Sequence, residues 1–261
     1  MEAGSLSDPA FGDVDRRAAS LFAGFTSERF KWGGALEYRT EESSERGKRD
    51  SWLSRNTLGV QLSDGWRMLG RANIAVSDGG EGTVMDAEYT ELVAGLAYRP
   101  VYRNRVNGLF RYSYLYDLAS PDQLGPRLQL NPFAQKSHVF SADAIFKITR
   151  HLSLGGKIGH RRGELRDRTV EDSEWFGSSA WLYIARADIH VVRAWDFIAE
   201  YRRLEVEESQ DVRDGYLIGL YRHVNTNLRL GIGYNFTDYT DDLTDLSFRS
   251  RGWFVNLIGM F

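Results

Sequence analysis

The sequence predicts an all-β protein: an antiparallel up-and-down transmembrane β-barrel of about 12–14 strands. Three observations lead to this prediction. Long segments alternate between apolar and polar residues with a period of two. Tight turns and long polar connections alternate along the chain. The last segment carries uncharged, mostly apolar residues at every second position and ends on an aromatic residue, Phe261.

The composition excludes a helical membrane protein but allows a barrel. The chain has 261 residues, of which 42% are hydrophobic, and its mean hydropathy is -0.42. No segment approaches the ~20 consecutive apolar residues that a transmembrane helix needs. In a barrel strand only alternate residues meet lipid, so the other half can be polar. The seven Trp, thirteen Tyr and fourteen Phe suit the aromatic girdles of such a wall.

The cysteine count, the net charge and the positions of the prolines further limit the class of protein. The chain has no cysteine, which excludes disulfides and thiolate metal sites and fits an oxidising compartment. A net charge of -3 gives no indication of nucleic-acid binding. The five prolines, which are excluded from the middle of a sheet, all fall outside the predicted strands.

The alternation predicts about thirteen strands, taken here in chain order. They lie near residues 18–27, 30–40, 50–63, 66–77, 87–99, 105–117, 136–148, 151–165, 177–192, 195–206, 213–223, 227–237 and 247–261. Their length of about 10–14 residues exceeds the ~5–6 usual in globular sheets and is sufficient to cross a membrane at a tilt. One face of each is apolar or aromatic, as in Phe30, Trp32, Leu36 and Tyr38, and the opposite face is polar or small.

The connections also predict a membrane topology. Long polar loops are expected at 41–49, 78–86, 118–135, 166–176, 206–213 and 238–246, and tight turns at 28–29, 64–65, 100–104, 149–150, 192–194 and 224–226. In outer-membrane barrels the turns face the periplasm and the loops face outside. A soluble barrel has no physical reason to sort its loops in this way.

A single barrel domain preceded by a disordered or linker-like N-terminus follows. Residues 1–16, rich in Gly, Ser and Asp, are expected to form a linker, and residues 17–261 the barrel. Single-chain bacterial barrels have an even strand count. An odd count therefore means that residues 1–16 hold a further strand, or that one strand precedes this sequence, or that one weak strand, 18–27 being the weakest, is dropped to give twelve. Because the composition of 1–16 disfavours a strand, we predict a roughly fourteen-stranded barrel whose first strand lies upstream. Because unpaired edges are costly in lipid, we expect 18–27 to pair with 247–261.

Several segments carry a resemblance to a known group of proteins. They are Gly95–Pro100 with Leu109–Asp117, then Gly219–Val224, and Gly231–Asp238 with Asp241–Asp245 and Arg251–Phe254. Together they resemble the C-terminal outer-membrane β-barrel domain of large Gram-negative surface proteins, in which extracellular-type repeats precede the barrel. The resemblance covers roughly residues 87–261. It implies a membrane anchor or conduit, with more barrel sequence upstream and no catalytic residues.

The C-terminal segment resembles the pattern that the barrel-insertion machinery reads. The residues concerned are Trp253, Val255, Leu257 and Phe261. This resemblance implies the barrel-insertion machinery as a partner. The membrane assignment implies contacts with outer-membrane lipid and lipopolysaccharide, and no nucleic acid.

Neither of two enzyme-like pairs has the setting that catalysis needs. His151 and Ser153 have the spacing of the outer-membrane phospholipases, and Asp188 and His190 that of the omptin proteases. Both pairs lie beside short turns rather than at the outer rim, and Asp188 is expected to pair with a lumen arginine such as Arg186 or Arg202. We predict no enzyme and no cofactor. The acidic loop from Asp238 to Asp245 does not match a calcium-binding spacing, so no metal site is predicted.

The remaining candidates are charges on the face expected to line the lumen. They are Arg55, Arg67, Arg71, Arg111, Lys157, Arg186, Arg202 and Arg229. An excess of cations favours anions in a pore, whereas the same charges could pair across strands and fill the interior. The first hypothesis is therefore a non-enzymatic anchor or translocation domain of a surface-exposed protein, and the second a solute channel with a weak anion preference.

Overall fold

The computed structural model describes residues 2–8, 12–43, 47–79, 89–100, 102, 105–116, 133–167, 170, 172–192, 194–224, 228–237, 243 and 251–259. These residues form fourteen β-strands. The strands are β1 (Glu2–Asp8), β2 (Gly12–Thr26), β3 (Phe30–Ser43), β4 (Gly47–Gln61), β5 (Trp66–Gly79), β6 (Tyr89–Tyr98), β7 (Val106–Tyr116), β8 (Phe133–Lys147), β9 (Leu152–Asp167), β10 (Phe176–Val192), β11 (Trp195–Val206), β12 (Asp211–His223), β13 (Leu228–Asn235) and β14 (Gly252–Gly259).

All fourteen strands belong to one sheet, in which their spatial order is their sequence order. Each pair of neighbours is antiparallel. The predicted all-β, up-and-down fold of about 12–14 strands is confirmed. Within the described ranges, no helix is long and apolar enough to span a membrane.

The N-terminal residues differ from the prediction of a linker at 1–16. Glu2–Asp8 forms β1 and pairs with Gly12–Ala18 of β2, so the strand predicted at 18–27 begins at Gly12. Leu6 is the only large apolar residue of β1, which is why its sequence carries no alternation signal. With β1 the count becomes even, and the argument for a missing strand no longer holds.

The predicted pairing of 18–27 with 247–261 is wrong. β2 pairs with β1 and β3, and β14 pairs only with β13 over Leu228–Asn235 and Gly252–Gly259. Among the described strands no ladder joins β14 to β1 or β2, so the sheet is open. The physical reason is that β1 occupies part of the edge of β2 that β14 was expected to meet.

The connections follow the predicted sorting only in part. At one edge of the sheet, called the short-turn edge, the strands are joined through residues 27–29, 62–65, 99–105, 148–151, 193–194 and 224–227. The opposite, long-connection edge has residues 80–88, 117–132, 168–175 and 236–251 between its strands. The long loops predicted at 41–49 and 206–213 are wrong, since only 44–46 and 207–210 lie between strands there. Their polar composition concealed strands that continue beyond the apolar band.

A small apolar core lies on one face of the sheet. Val139, Ala180, Leu182 and Leu204 are buried there together with Leu243, which belongs to the β13–β14 connection. A Cβ atom on Gly159 would come within 2.9 Å of the Leu243 Cδ1 atom. A glycine in β9 therefore makes room for Leu243. The face that carries this core is called the inner face, and the opposite one the outer face.

Candidate functional site

The outer face is apolar and exposed across the sheet. Cross-strand neighbours share a face, so the registers place the apolar residues of successive strands in continuous rows. Members exposed by more than a third are Trp32, Leu36, Met68, Ile74, Leu92, Phe110, Phe140, Leu154, Ile158, Ile189, Ile218, Leu220, Leu230, Ile232, Val255 and Leu257. Soluble proteins rarely expose apolar patches beyond a few hundred Å². A face of this extent requires lipid rather than water.

Aromatic pairs border this apolar band toward the long-connection edge. Their ring centroids lie 4.3–5.4 Å apart in cross-strand contacts. The pairs are Tyr38–Trp52, Tyr112–Phe140, His160–Trp181, Tyr201–Tyr216 and Tyr234–Trp253. This row is called the upper girdle, and it is the arrangement found where a barrel wall crosses a membrane interface.

A second aromatic row lies near the short-turn edge. Phe25 contacts Phe30 at 5.9 Å and Trp66 contacts Tyr98 at 4.8 Å between ring centroids. From Phe30 to Tyr38 the outer face of β3 covers about nine residues, or roughly 20 Å along the membrane normal at a tilt near 40°. The spacing of the two rows is therefore close to, and somewhat shorter than, the ~25 Å apolar band of outer-membrane barrels.

The polar ends of the upper girdle mark the water boundary. The Tyr38 hydroxyl donates to Asp50 at 2.9 Å, and the Trp181 Nε1 donates to Glu207 at 3.0 Å. The Tyr201 hydroxyl donates to Asp214 at 2.5 Å. Each carboxylate lies farther toward the long-connection edge than the ring that it binds. Lipid contact therefore ends at the upper girdle.

All eight cations predicted to line a lumen lie on the inner face. The registers place Arg55, Arg67 and Arg71 of β4 and β5, and Arg111 of β7, on the side opposite the apolar rows. The same holds for Lys157, Arg186, Arg202 and Arg229 of β9 to β13. The structure divides these residues into an ion-paired group and an exposed group.

The paired group lies on β10 to β13. Arg186 binds Asp188 at 2.8 Å, as the sequence predicted, and Arg202 binds Glu200 at 2.5 Å with both side chains 9% exposed. Arg229 binds Asp196 at 2.7 Å. These pairs, with the apolar core beside them, make this half of the inner face a neutralised, packed surface.

Lys157 and Arg111 lie between the two groups. Lys157 is the direct cross-strand neighbour of Asp143, and both Lys157 and Arg111 attract this carboxylate. Both cations are half-buried. They continue the paired surface toward β7.

The exposed group lies on β4 and β5. The side chains of Arg55, Arg67 and Arg71 are exposed, and that of Arg71 is 57% accessible. Glu91 lies 3.6 Å from the Arg71 guanidinium and also accepts a hydrogen bond from Asn73 at 2.6 Å. This half of the inner face therefore presents accessible positive charge.

One polar cluster was not predicted from the sequence. Asp196 accepts from His190 Nδ1 at 2.7 Å, from His223 Nε2 at 2.8 Å and from Arg229 at 2.7 Å. The tight β10–β11 turn places His190 directly opposite Asp196. Asp188 pairs with Arg186 instead, so the Asp188–His190 pair of the protease hypothesis is not assembled. A hairpin register read from the turn at 193–194 could have indicated the His190–Asp196 contact.

The second enzyme-like pair is also engaged elsewhere. His151 Nε2 lies 2.9 Å from the Arg150 Nε, and its ring stacks on that of His190 at 5.8 Å. Ser153 is the cross-strand neighbour of Asp188.

The C-terminal pattern and the acidic loop are only partly within the described residues. Trp253, Val255 and Leu257 lie on the outer face of β14 and are 69–75% exposed. Phe261 lies outside the described residues, as do Asp238, Asp241, Asp242 and Asp245. In the part of the chain that the structure describes, no group of three or more His, Asp and Glu side chains is arranged to hold a metal ion.

Comparison with known proteins gives matches by structure only. No protein-family model and no curated protein matches the sequence. The siderophore receptor PirA from Pseudomonas aeruginosa superposes with a TM-score of 0.57 at 8% identity, over 88% of this chain and 43% of that one. PirA from Acinetobacter baumannii gives 0.55 at 10% identity, over 89% and 41%. A chain of the RagAB peptide transporter gives 0.55 at 9% identity, over 95% and 40%.

These likenesses show the fold, and the chain spans less than half the length of each of these three proteins. The fold is that of outer-membrane β-barrel proteins. The exposed apolar band between two aromatic rows independently requires a membrane of matching thickness. The chain is therefore a β-barrel-type protein of the Gram-negative outer membrane.

Proposed function

We propose that the chain forms the wall of an outer-membrane conduit whose inner face favours anionic solutes. The observation that carries this proposal is the exposure of Arg55, Arg67 and Arg71 on the face opposite the lipid-facing rows. Positive side chains that line a water-filled path raise the local concentration of anions and lower their barrier to passage. The matched structures include siderophore receptors and a peptide transporter, which supports transport as the class of activity.

Planar-bilayer conductance tests this proposal. The refolded chain should give steady channels that pass chloride more readily than potassium. Replacing the three exposed cations together (Arg55→Gln, Arg67→Gln, Arg71→Gln) should reduce the chloride-to-potassium permeability ratio to one or below. A control triple variant, Lys48→Gln, Arg203→Gln and Arg222→Gln, removes the same charge from the outer face and should leave the ratio unchanged. Equal effects of both triple variants would contradict a specific inner-face path.

A membrane anchor or translocation domain for a surface-exposed region is the second candidate. The ion pairs of Arg186, Arg202 and Arg229, and the core around Leu243, favour it. They make half of the inner face a rigid filling rather than a water-filled path. This candidate predicts channels that are absent or only transient in the same bilayers, with full insertion. The anchor candidate is overturned if the chain gives steady channels whose chloride-to-potassium permeability ratio changes in the inner-face triple variant.

We further propose that the chain is not an enzyme. The engagement of Asp188 by Arg186 and of His190 by Asp196 supports this, because a catalytic base must be free to reach a nucleophile or water. Activity on phospholipid or peptide substrates that is lost on His151→Ala or His190→Ala substitution would reverse this conclusion. The barrel-insertion machinery remains a proposed partner, through Trp253, Val255, Leu257 and Phe261.

A further inference from the structure

Basic side chains cluster on the outer face of β8 and β9, immediately beyond the upper girdle. His138 and Arg162 are direct cross-strand neighbours, and His160 and Lys136 lie on the same face of these strands. Arg166 follows on β9, and its guanidinium lies 5.1 Å from the centre of the Trp175 ring. These residues, His138, His160, Arg162, Lys136, Arg166 and Trp175, are called the basic patch.

The position of the basic patch is unusual for a cluster of cations. His138 follows Phe140 toward the long-connection edge, and its ring nitrogen lies 2.8 Å from the hydroxyl of Tyr112, a girdle residue. His160 packs on Trp181 at 4.3 Å in the same girdle. The basic patch therefore lies on the lipid-facing side of the wall, at the height where hydrocarbon gives way to headgroups. Because the long connections face outside in such proteins, these are headgroups of the outer leaflet.

Internal partners neutralise only part of the basic patch. Lys136 binds Glu164 at 2.6 Å and lies 4.3 Å from the centre of the Trp175 ring. Among the described residues no carboxylate lies within ion-pairing distance of Arg162 or Arg166. Arg162 is exposed. Ser179, its cross-strand neighbour on β10, has its hydroxyl 3.1 Å from the His160 Nε2 atom. Among the described residues of the basic patch, the one ion pair to a carboxylate is thus that of Lys136 with Glu164, against three cations and two histidines in all.

We propose that the basic patch binds the phosphate groups of an outer-leaflet glycolipid such as lipopolysaccharide. Arginine presents several N–H donors in a geometry that matches phosphate oxygens, and protonated histidine adds a further donor. The apolar band and the upper girdle below the patch supply the surface along which the acyl chains of the same lipid can pack. A free phosphate ion makes no contact with that apolar surface. A ligand that uses both the charged groups and the apolar surface is therefore a lipid. The inference rests on the outer-membrane location and is independent of any conductance.

Lipid titration of the purified full chain in neutral detergent tests the proposal. The probe is bisphosphorylated lipid A, and the readout is the change in intrinsic tryptophan fluorescence, to which Trp175 and Trp181 contribute, supported by co-purification of the lipid. Dephosphorylated lipid A and inorganic phosphate form two further arms. We expect saturable binding of the phosphorylated lipid. The other two probes should bind at least about tenfold more weakly, since one charge-assisted hydrogen bond to phosphate accounts for about that factor.

Two variants complete the experiment. His138→Gln with Arg162→Gln removes the half-buried histidine and the exposed arginine at the centre of the basic patch and should weaken binding about tenfold or more. Arg203→Gln is the control, because Arg203 also lies on the outer face, on β11, and is already paired with Glu205 at 2.6 Å. Folding of each variant is checked by its β-sheet circular dichroism and by heat-dependent gel mobility.

Each outcome decides the proposal. Selective loss in the double variant supports it. Equal affinity in the wild type and the double variant, or equal binding of dephosphorylated lipid, overturns it. Saturable binding of inorganic phosphate at the affinity of the lipid also overturns it, because the site would then be one for a soluble anion. Lost lipid binding with intact anion preference in bilayers would leave the proposed conduit untouched, whereas failure to insert would contradict both.

Discussion

Asp196 shows how a single carboxylate organises the inner face at the residue scale. Its two oxygens accept from His190, His223 and Arg229, which come from three strands, β10, β12 and β13. Its side chain is only 16% exposed, so these hydrogen bonds are little screened by water. Arg229 also lies over the ring of Tyr221 at 4.4 Å. The cluster thus ties together four neighbouring strands near the short-turn edge.

Replacement of Asp196 by Asn should destabilise the protein. The change leaves the Arg229 guanidinium without its carboxylate and removes one acceptor from the two histidines. We expect the free energy of unfolding to fall by about 1–3 kcal/mol, measured by urea unfolding in detergent micelles. The control is Asp211→Asn, whose partner Arg213 is 58% exposed. It should cost less than about 1 kcal/mol, and a loss as large as that of Asp196→Asn would contradict the role of the cluster.

At the element scale, β12 shows the alternation that the fold depends on. Ile218 and Leu220 lie on the exposed outer face, while Gly219 and Tyr221 are buried on the inner face. The inner glycines of β12 allow close packing: at Gly215 a Cβ atom would overlap the side chain of Thr237. The sequence of one strand therefore encodes both a lipid-facing side and a packed side.

Adjacent arginine substitutions on β12 test this alternation. Ile218→Arg places a charge at the middle of the apolar band and should cost about 2–4 kcal/mol. Leu217→Arg, one residue earlier, points to the inner face, where Glu200 is already paired with Arg202, and should cost clearly less than Ile218→Arg because its charge stays out of the hydrocarbon. Unfolding in lipid vesicles measures both values. Similar costs for the two variants would show that the faces are wrongly assigned.

Strands with a strong alternation of apolar and polar residues were predicted from the sequence, and polar strand segments without this alternation were missed. β3 was predicted from Phe30, Trp32, Leu36 and Tyr38, and its start at Phe30 is confirmed. Its end at Ser43 was missed, because Thr40–Ser43 is polar on both faces and such a segment reads as a loop. β1 was missed for the same reason. Ladder hydrogen bonds to β2 and β4 hold the polar end of β3 in strand conformation, and β1 is held by its ladder to β2.

The candidate site was predicted unevenly for a related reason. Alternation placed all eight cations on one face, because face depends only on the parity of the position. Which cations are paired depends on cross-strand register, and the sequence does not give register. Arg186–Asp188 was foreseen because both residues lie on one strand. The contacts of Asp196 join separate strands, and of these only the His190–Asp196 contact, across the tight β10–β11 turn, could have been inferred from the sequence.

At the scale of the whole molecule, the open sheet is the feature that differs most from prediction. The chain spans 40–43% of the length of the two PirA receptors and the RagAB chain. Among the described residues, β1 and β14 each pair on one side only. Unpaired backbone groups are costly in hydrocarbon, so the state of these two edges governs the stability of the inserted protein.

Hydrogen exchange in micelles reports on these edges. Amides of β9 and β10, which pair continuously from Phe176 to Ile189, should exchange slowest. Amides of β1 and β14 should exchange at least about tenfold faster, because half of their backbone groups have no partner strand. Mass spectrometry of peptic fragments measures both. Protection of β14 equal to that of β10 would contradict an open edge there.

Cysteine scanning along β5 in a lipid bilayer tests the central claim most directly, and the chain offers no native cysteine to interfere. Single cysteines at positions 67, 69 and 71 face inward and those at 68, 72 and 74 face outward. A water-soluble maleimide should label the first set and leave the second unlabelled until detergent is added. Labelling of both sets alike, or of the second set alone, would contradict a wall with lipid on its apolar side and water on its charged side.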